Sequence, residues 1–328
     1  MYKPKKYFNL DLHISVIQDV IYVFKKLFGD TITITNWSIS GHNWVFGNST
    51  PDVKIINQHT WRNINPSMIT EFHKEYDEYL NQFDGFIVTH TPVFCLLFEK
   101  YGKPIIVVNS CRFNQPFCWY PNASEANKWL TDGLIRMHRS GQLVVVSNNK
   151  GDQQYLLDAT NIPSIHIPSL CLYTGAKYNP TLNAPFVCYG NRDLFPPSPL
   201  LVAKPPNGYT WEQLYSFKGI VHVPYEISTM SLFEQYSAGV PIFVPSYEFY
   251  KECISAGIMQ LTSDYSVTDK KGVDYWLSRA DYYNTKGRIY YYSSFTGLIE
   301  MLSTFVLEDT YNRENEILIK WSSILGKC

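Results

Sequence analysis

The feature that most constrains this chain is a set of short, unbroken apolar runs separated by segments of helical periodicity. Gly85-Phe86-Ile87-Val88-Thr89, Pro104-Ile105-Ile106-Val107-Val108 and Leu143-Val144-Val145-Val146 read as strands with no polar face. Between and before them lie helical patterns. Ile14 to Phe28 carries apolar residues at 14, 17, 20, 21, 24, 27 and 28, one buried stripe ended by Gly29. Further helices are predicted over 66–82, 92–101, 124–140 and 150–158, and further strands over 7–12 and from Thr31 to Ile34. A strand without a polar face must be covered on both sides. Helices alternating with such strands therefore predict a parallel sheet clothed on both faces.

At 328 residues the chain exceeds the roughly 250 that one hydrophobic core organises. The pattern breaks into Gly, Asn, Pro and Thr between Thr174 and Pro185, and then resumes. Strands are predicted at 186–189, 219–223 and 241–244, with helices at 211–217, 231–238 and 247–256. The tail from about 273 reads as helical, including amphipathic stretches near 295–306 and 312–325. The expected fold class is α/β: two doubly wound Rossmann-like domains facing across a cleft, 1–173 and 174–328. The C-terminal helix is a candidate to pack back on the first domain. Ligands of such sheets bind beyond the carboxyl ends of the strands.

Lysine and arginine number 28 against 29 acidic residues, a net charge of −1, so no electrostatic drive toward nucleic acid exists. Seven cysteines show no doublet spacing of a zinc or redox motif, and a reducing, cytoplasmic setting is expected. No run of about 18 apolar residues predicts a membrane span. The phosphate-loop, Gly-x-Gly-x-x-Gly and Gly-x-Ser-x-Gly patterns are absent, which argues against ordinary kinases, dinucleotide enzymes and serine hydrolases. The histidines show no metal-ligand spacing, so no metal is expected.

The richest stretch runs from His222 to Ser246: a strand, a Ser/Thr-rich loop, a helix, a glycine stop and another strand. Hydroxyls at Ser228, Thr229 and Ser231 suit a helix N-cap, and the open amides of the following turn suit phosphate oxygens. Glu226, seven intervening residues, Glu234 and Ser237-Ala238-Gly239-Val240-Pro241-Ile242-Phe243-Val244 together resemble the E-x7-E segment of GT-B glycosyltransferases. The resemblance implies donor binding in the second domain. By that resemblance Glu226 would face the sugar, the 227–231 loop and helix start (Ser228, Thr229, Met230 and Ser231) would hold the diphosphate, and Glu234 would hold the ribose. The residues after Glu226 are Ile-Ser-Thr-Met, where the family usually has small, Gly-rich ones.

Asp84 to Pro92, a strand ending in His90, resembles the strand end at which the same family places a histidine near the reacting carbon. Arg192, in Tyr189-Gly190-Asn191-Arg192, matches the family's Gly-Arg turn, and Lys204 is a second candidate cation for phosphate. Asp11 and His13 end the first strand, where inverting members carry the base that deprotonates the acceptor; an imidazole near pKa 6.5 suits that task. His42, Asn43 and Trp44 form a polar, aromatic loop suited to an acceptor sugar.

The expected function is a metal-independent transfer of a sugar from a nucleoside-diphosphate donor, of UDP or GDP type, to a hydroxyl of a glycan acceptor. The motif favours retention over inversion. Partners are thus a nucleotide sugar and a glycan, with no cofactor beyond the donor. A nucleotide-sugar epimerase or hydrolase of the same fold, and a non-catalytic glycan- or nucleotide-binding protein, are the alternatives.

Overall fold

The computed structural model describes residues 4–41, 52–205, 208–264, 269–307 and 312–325. The chain divides into two compact units, the first built mainly from residues 1–169 and the second from 170–265 and 271–315.

The first unit comprises β1 (Lys5–Asp11), α1 (Ile14–Phe28), β2 (Ile32–Ser38), α2 (Pro66–Leu80), β3 (Gly85–His90), β4 (Ile105–Asn109), α3 (Ser124–Arg139), β5 (Leu143–Ser147), α4 (Lys150–Thr160) and β6 (Ile165–His166). Its sheet has the order β2-β1-β3-β4-β5-β6, every pairing parallel. Strands β4 and β3 are buried almost throughout, which is why their residues carry no polar alternation. Gly85 is needed where β3 passes β1, because a Cβ there would lie 2.6 Å from the Tyr7 ring. Asn65 caps α2 by accepting from Ser67 N and Met68 N, and Pro66 takes the first helical position.

The second unit contains β7 (Phe186–Tyr189), β8 (Leu201–Ala203), α5 (Trp211–Leu214), β9 (Ile220–His222), α6 (Met230–Ala238), β10 (Ile242–Pro245), α7 (Tyr247–Ser255), α8 (Val273–Leu277), α9 (Asp281–Asn284), β11 (Ile289–Tyr292) and α10 (Phe295–Thr304). Its sheet is also parallel, ordered β11-β10-β9-β7-β8. Successive residues of each strand feed opposite cores. Phe186, Val221, Phe243 and Tyr292 pack with Leu298 and Leu302 of α10 on one face. Val187 and Ile220 pack with Leu214, Tyr215 and Val240 on the other. Both units are therefore doubly wound α/β layers, the architecture that the sequence resemblance implies. The final helix, α11 (Glu314–Leu325), belongs to the first unit from Glu316 onward, where the Trp321 ring lies 5.9 Å from Phe24 of α1.

Three elements differ from the sequence reading. Residues 92–101 form two 3-10 turns, not an α-helix. Pro92 to Leu97 is buried on every side, so no solvent face exists to favour a regular amphipathic helix. The helix near 211–217 is a single turn. The tail is interrupted by β11, whose Ile-Tyr-Tyr-Tyr sequence is strand-favouring and whose Tyr290 stacks on Phe243 of β10 at 5.2 Å.

Candidate functional site

In each sheet the strand order reverses beside the first strand, and the carboxyl ends there are where ligands of such folds bind. In the first unit the reversal lies between β1 and β3. Asp11 ends β1, His13 follows it at the start of α1, and His90 ends β3.

These three residues do different things. Asp11 is fully buried, lies opposite Ser38 in the parallel register, and accepts from Ser38 Oγ at 3.1 Å. Burial, only partly offset by Asn36 and Ser38, pushes its carboxyl up to about 7. His13 is not in the strand at all. It is the N-terminal flanking residue of α1, and its ring stacks on His90 with centroids 5.7 Å apart. The first strand thus ends at Asp11, not at His13, and His13 begins the turn into α1.

His90 has φ 68°, a left-handed conformation that side chains other than glycine rarely adopt and that gathers at functional sites. Burial first, then the charges of His13 and Arg112, hold its imidazole down at about 3. His90 is thus neutral across physiological pH. Arg112 lies 4.0 Å from the buried Asp152 carboxylate. His42, Asn43 and Trp44 lie outside the described residues.

In the second unit the reversal lies between β7 and β9, and a pocket of about 260 Å³ opens there. That volume is just below the roughly 300 Å³ at which ordinary small-molecule sites begin. Tyr189 and His222 end the two strands opposite one another, with rings 5.2 Å apart. His222 is buried, its Nε2 bonded to Gln235 Oε1, and burial lowers its pKa to about 4. Gly190 follows at φ 145°. A Cβ there would come within 2.6 Å of Val223 Cβ, so only glycine leaves this floor open.

Lys204 forms another wall, with Nζ 4.6 Å from the Tyr189 ring centroid and 5.4 Å from that of Tyr209. Aromatic faces hold the ammonium in place without neutralising it. Opposite stand Thr229 and Ser231. Thr229 is the N-cap of α6 and accepts from Leu232 N. The amides of Met230 and Ser231 precede any residue of the helix that could accept from them, the ordinary state of a first turn. Glu226 completes the wall, its carboxylate fixed by Ile227 N at 2.8 Å and Thr262 Oγ1 at 2.7 Å.

Of the residues singled out from sequence, the structure thus gathers Lys204, Glu226, Thr229 and Ser231 around one cavity. Ser228 and Met230 belong to the same turn without lining it. Arg192 and Glu234 go elsewhere. Arg192 donates from Nε, Nη1 and Nη2 to the carbonyls of Leu201, Phe195 and Pro196, so it holds the 195–201 loop. Glu234 accepts from the Tyr173 hydroxyl and, at 3.3 Å, from Trp211 Nε1, tying the start of the unit to α6. Tyr189, His222 and Tyr225 line the pocket without having been singled out. Their common signal is position: each ends or closely follows a strand at the reversal point.

Among the described residues, no group of three or more His, Cys, Asp and Glu side chains is placed to hold a metal ion, and no helix is long and apolar enough to cross a membrane.

No protein-family model matches the chain, and no curated protein matches it. Among solved structures it is similar to the glycosyltransferase of kitacinnamycin, at 11% identity over 99% of this chain and 94% of that one, with a TM-score of 0.44. It is similar to the UDP-GlcNAc 2-epimerase from Neisseria meningitidis bound to UDP-GlcNAc, at 12% identity over 79% and 88%, with a TM-score of 0.45. It is also similar to the glycosyltransferase SnogD from Streptomyces nogalater, at 12% identity over 79% and 87%, with a TM-score of 0.42.

Proposed function

We propose that the chain is a glycosyltransferase that binds a nucleoside-diphosphate sugar in the second-unit pocket. The observation that carries this reading is the juxtaposition, in one cavity, of an aromatic-held ammonium (Lys204) with the first turn of α6 (Thr229 and Ser231). Two such groups complement a diphosphate: a cation and a set of open amides reinforced by the helix dipole. The diphosphate is where negative charge grows as the sugar departs, so this pairing supplies the main transition-state stabilisation.

In the transfer, the acceptor oxygen forms a bond to the anomeric carbon. The bond from that carbon to the phosphate oxygen breaks, and its electron pair leaves with the nucleoside diphosphate. The acceptor proton goes to an oxygen of the departing diphosphate, the route that retention of configuration implies. His90 stays neutral, with the His13 ring stacked on it. Glu226, fixed by two short hydrogen bonds, faces the donor sugar. Asp11, buried against Ser38, positions the end of β1.

The test is a thermal-shift panel of UDP-, GDP-, dTDP- and CDP-sugars followed by product analysis with the labelled sugar of the strongest binder. Stabilisation by one nucleotide class, with label transferred to an added glycan, supports the reading. Label released as free or isomerised sugar replaces it with hydrolysis or epimerisation. Absence of any shift removes the donor site.

A further inference from the structure

The second unit holds another, larger cavity of about 490 Å³ that the proposed reaction does not use. It lies at the opposite end of the sheet, where α6 stops and β10 and β11 begin. Its walls include Lys177, Arg288 and Arg313, with Glu314 as the single carboxylate. Lys177 follows closely on the start of the unit at Leu170, and Arg313 lies just before its end at Asn315. Residues from both ends of the unit thus meet in one pocket.

Two of these cations stand without a carboxylate partner among the described residues: no carboxylate pairs with Lys177 or Arg288. Arg288 Nη1 donates to Gly239 O, while its Nε is buried with no hydrogen-bond partner among the described residues. Arg313 is only 8% exposed, and its guanidinium packs against Phe233 and Tyr236 at 4.4 and 4.9 Å from their centroids. The carbonyl end of α6 would ordinarily repel an anion here. Two carbonyls there are taken: Arg288 donates to Gly239 O, and Tyr178 N donates to Ala238 O at 2.9 Å. What faces the cavity is therefore positive, and stacked guanidinium groups are pre-organised to grip planar or tetrahedral oxyanions.

We infer that this cavity is a second, separate anion site that takes a phosphate-bearing small molecule on Lys177, Arg288 and Arg313. Its volume exceeds what inorganic phosphate fills and suits a phosphorylated sugar or similar metabolite. Because residues from both ends of the second unit line it, occupancy also ties those two ends together.

The experiment is calorimetric titration of the full chain with inorganic pyrophosphate, first in the Lys204→Ala variant, which disables the proposed donor pocket. Binding persists there and weakens steeply with added salt. Adding Lys177→Ala weakens it at least threefold, and adding Arg288→Gln as well weakens it at least tenfold. Lys177 is exposed, so its replacement leaves the fold intact even if Arg288→Gln does not. Two results overturn the inference: Lys204→Ala alone abolishing all pyrophosphate binding, or the remaining binding being indifferent to Lys177→Ala. Failure of the glycosyltransferase reading looks different. There, Lys204→Ala leaves nucleoside-diphosphate affinity unchanged, while the pyrophosphate result for this site still stands.

Discussion

At the scale of single residues, the two glutamates of the E-x7-E pattern part company. Glu234 bonds Tyr173 and Trp211, whereas Glu226 lies in the pocket wall. Each hydrogen bond to a charged group contributes about 1.5–3 kcal/mol. Glu234→Ala therefore lowers stability, by about 1–3 kcal/mol in urea unfolding, and leaves nucleotide-sugar affinity within about twofold. Glu226→Gln does the reverse: near-native stability and at least a tenfold loss of transfer activity. Equal losses of affinity in the two variants would contradict this division. The spacing of these acids was legible in the sequence; their partners were not. Tyr173 and Trp211 lie 61 and 23 residues from Glu234, and nothing in local sequence ties them to it. The partners of Arg192 were hidden for the same reason, because only the shape of the 195–201 loop turns three carbonyls toward its guanidinium.

At the scale of elements, the pocket exists because parallel pairing sets Tyr189 beside His222, with Gly190 leaving room beyond them. Gly190→Ala demands both an unfavourable φ and a 2.6 Å approach to Val223. It is expected to cost about 1–3 kcal/mol of stability and to abolish nucleotide binding, checked by urea unfolding and calorimetry on the same sample. Wild-type affinity in that variant would show that the pocket lies elsewhere. The elements themselves were largely readable from sequence, since apolar runs such as Ile105–Val108 admit little but a buried strand. Two kinds of segment escaped. The wholly buried 92–97 turn has no amphipathic signal, and β11 is a run of tyrosines whose strand character comes from stacking on β10.

At the scale of the whole molecule, three titrating groups with large shifts contribute to acid stability. His90 and His222 have pKa values depressed to about 3 and 4, and Asp11 has one raised to about 7. Each histidine costs stability as pH falls below its unfolded value near 6.5, because only the unfolded chain takes the proton. Asp11 acts oppositely: its contribution is complete below the unfolded value near 3.8 and is lost as pH rises through 7. Between about pH 4.5 and 5.5 the unfolded state holds two of these protons and the native state one. The net of one proton makes stability rise by about 1.4 kcal/mol per pH unit from these groups. His222→Gln removes one unfolded-state proton and flattens the slope by that amount in urea titrations; an unchanged slope would show that His222 is not held neutral. The most direct test of the central claim is calorimetric titration of the best-binding nucleoside diphosphate into wild type and Lys204→Ala. The tightest nucleoside-diphosphate site is expected to weaken at least tenfold in the variant, with its salt dependence reduced. Equal affinity in the two proteins would contradict it.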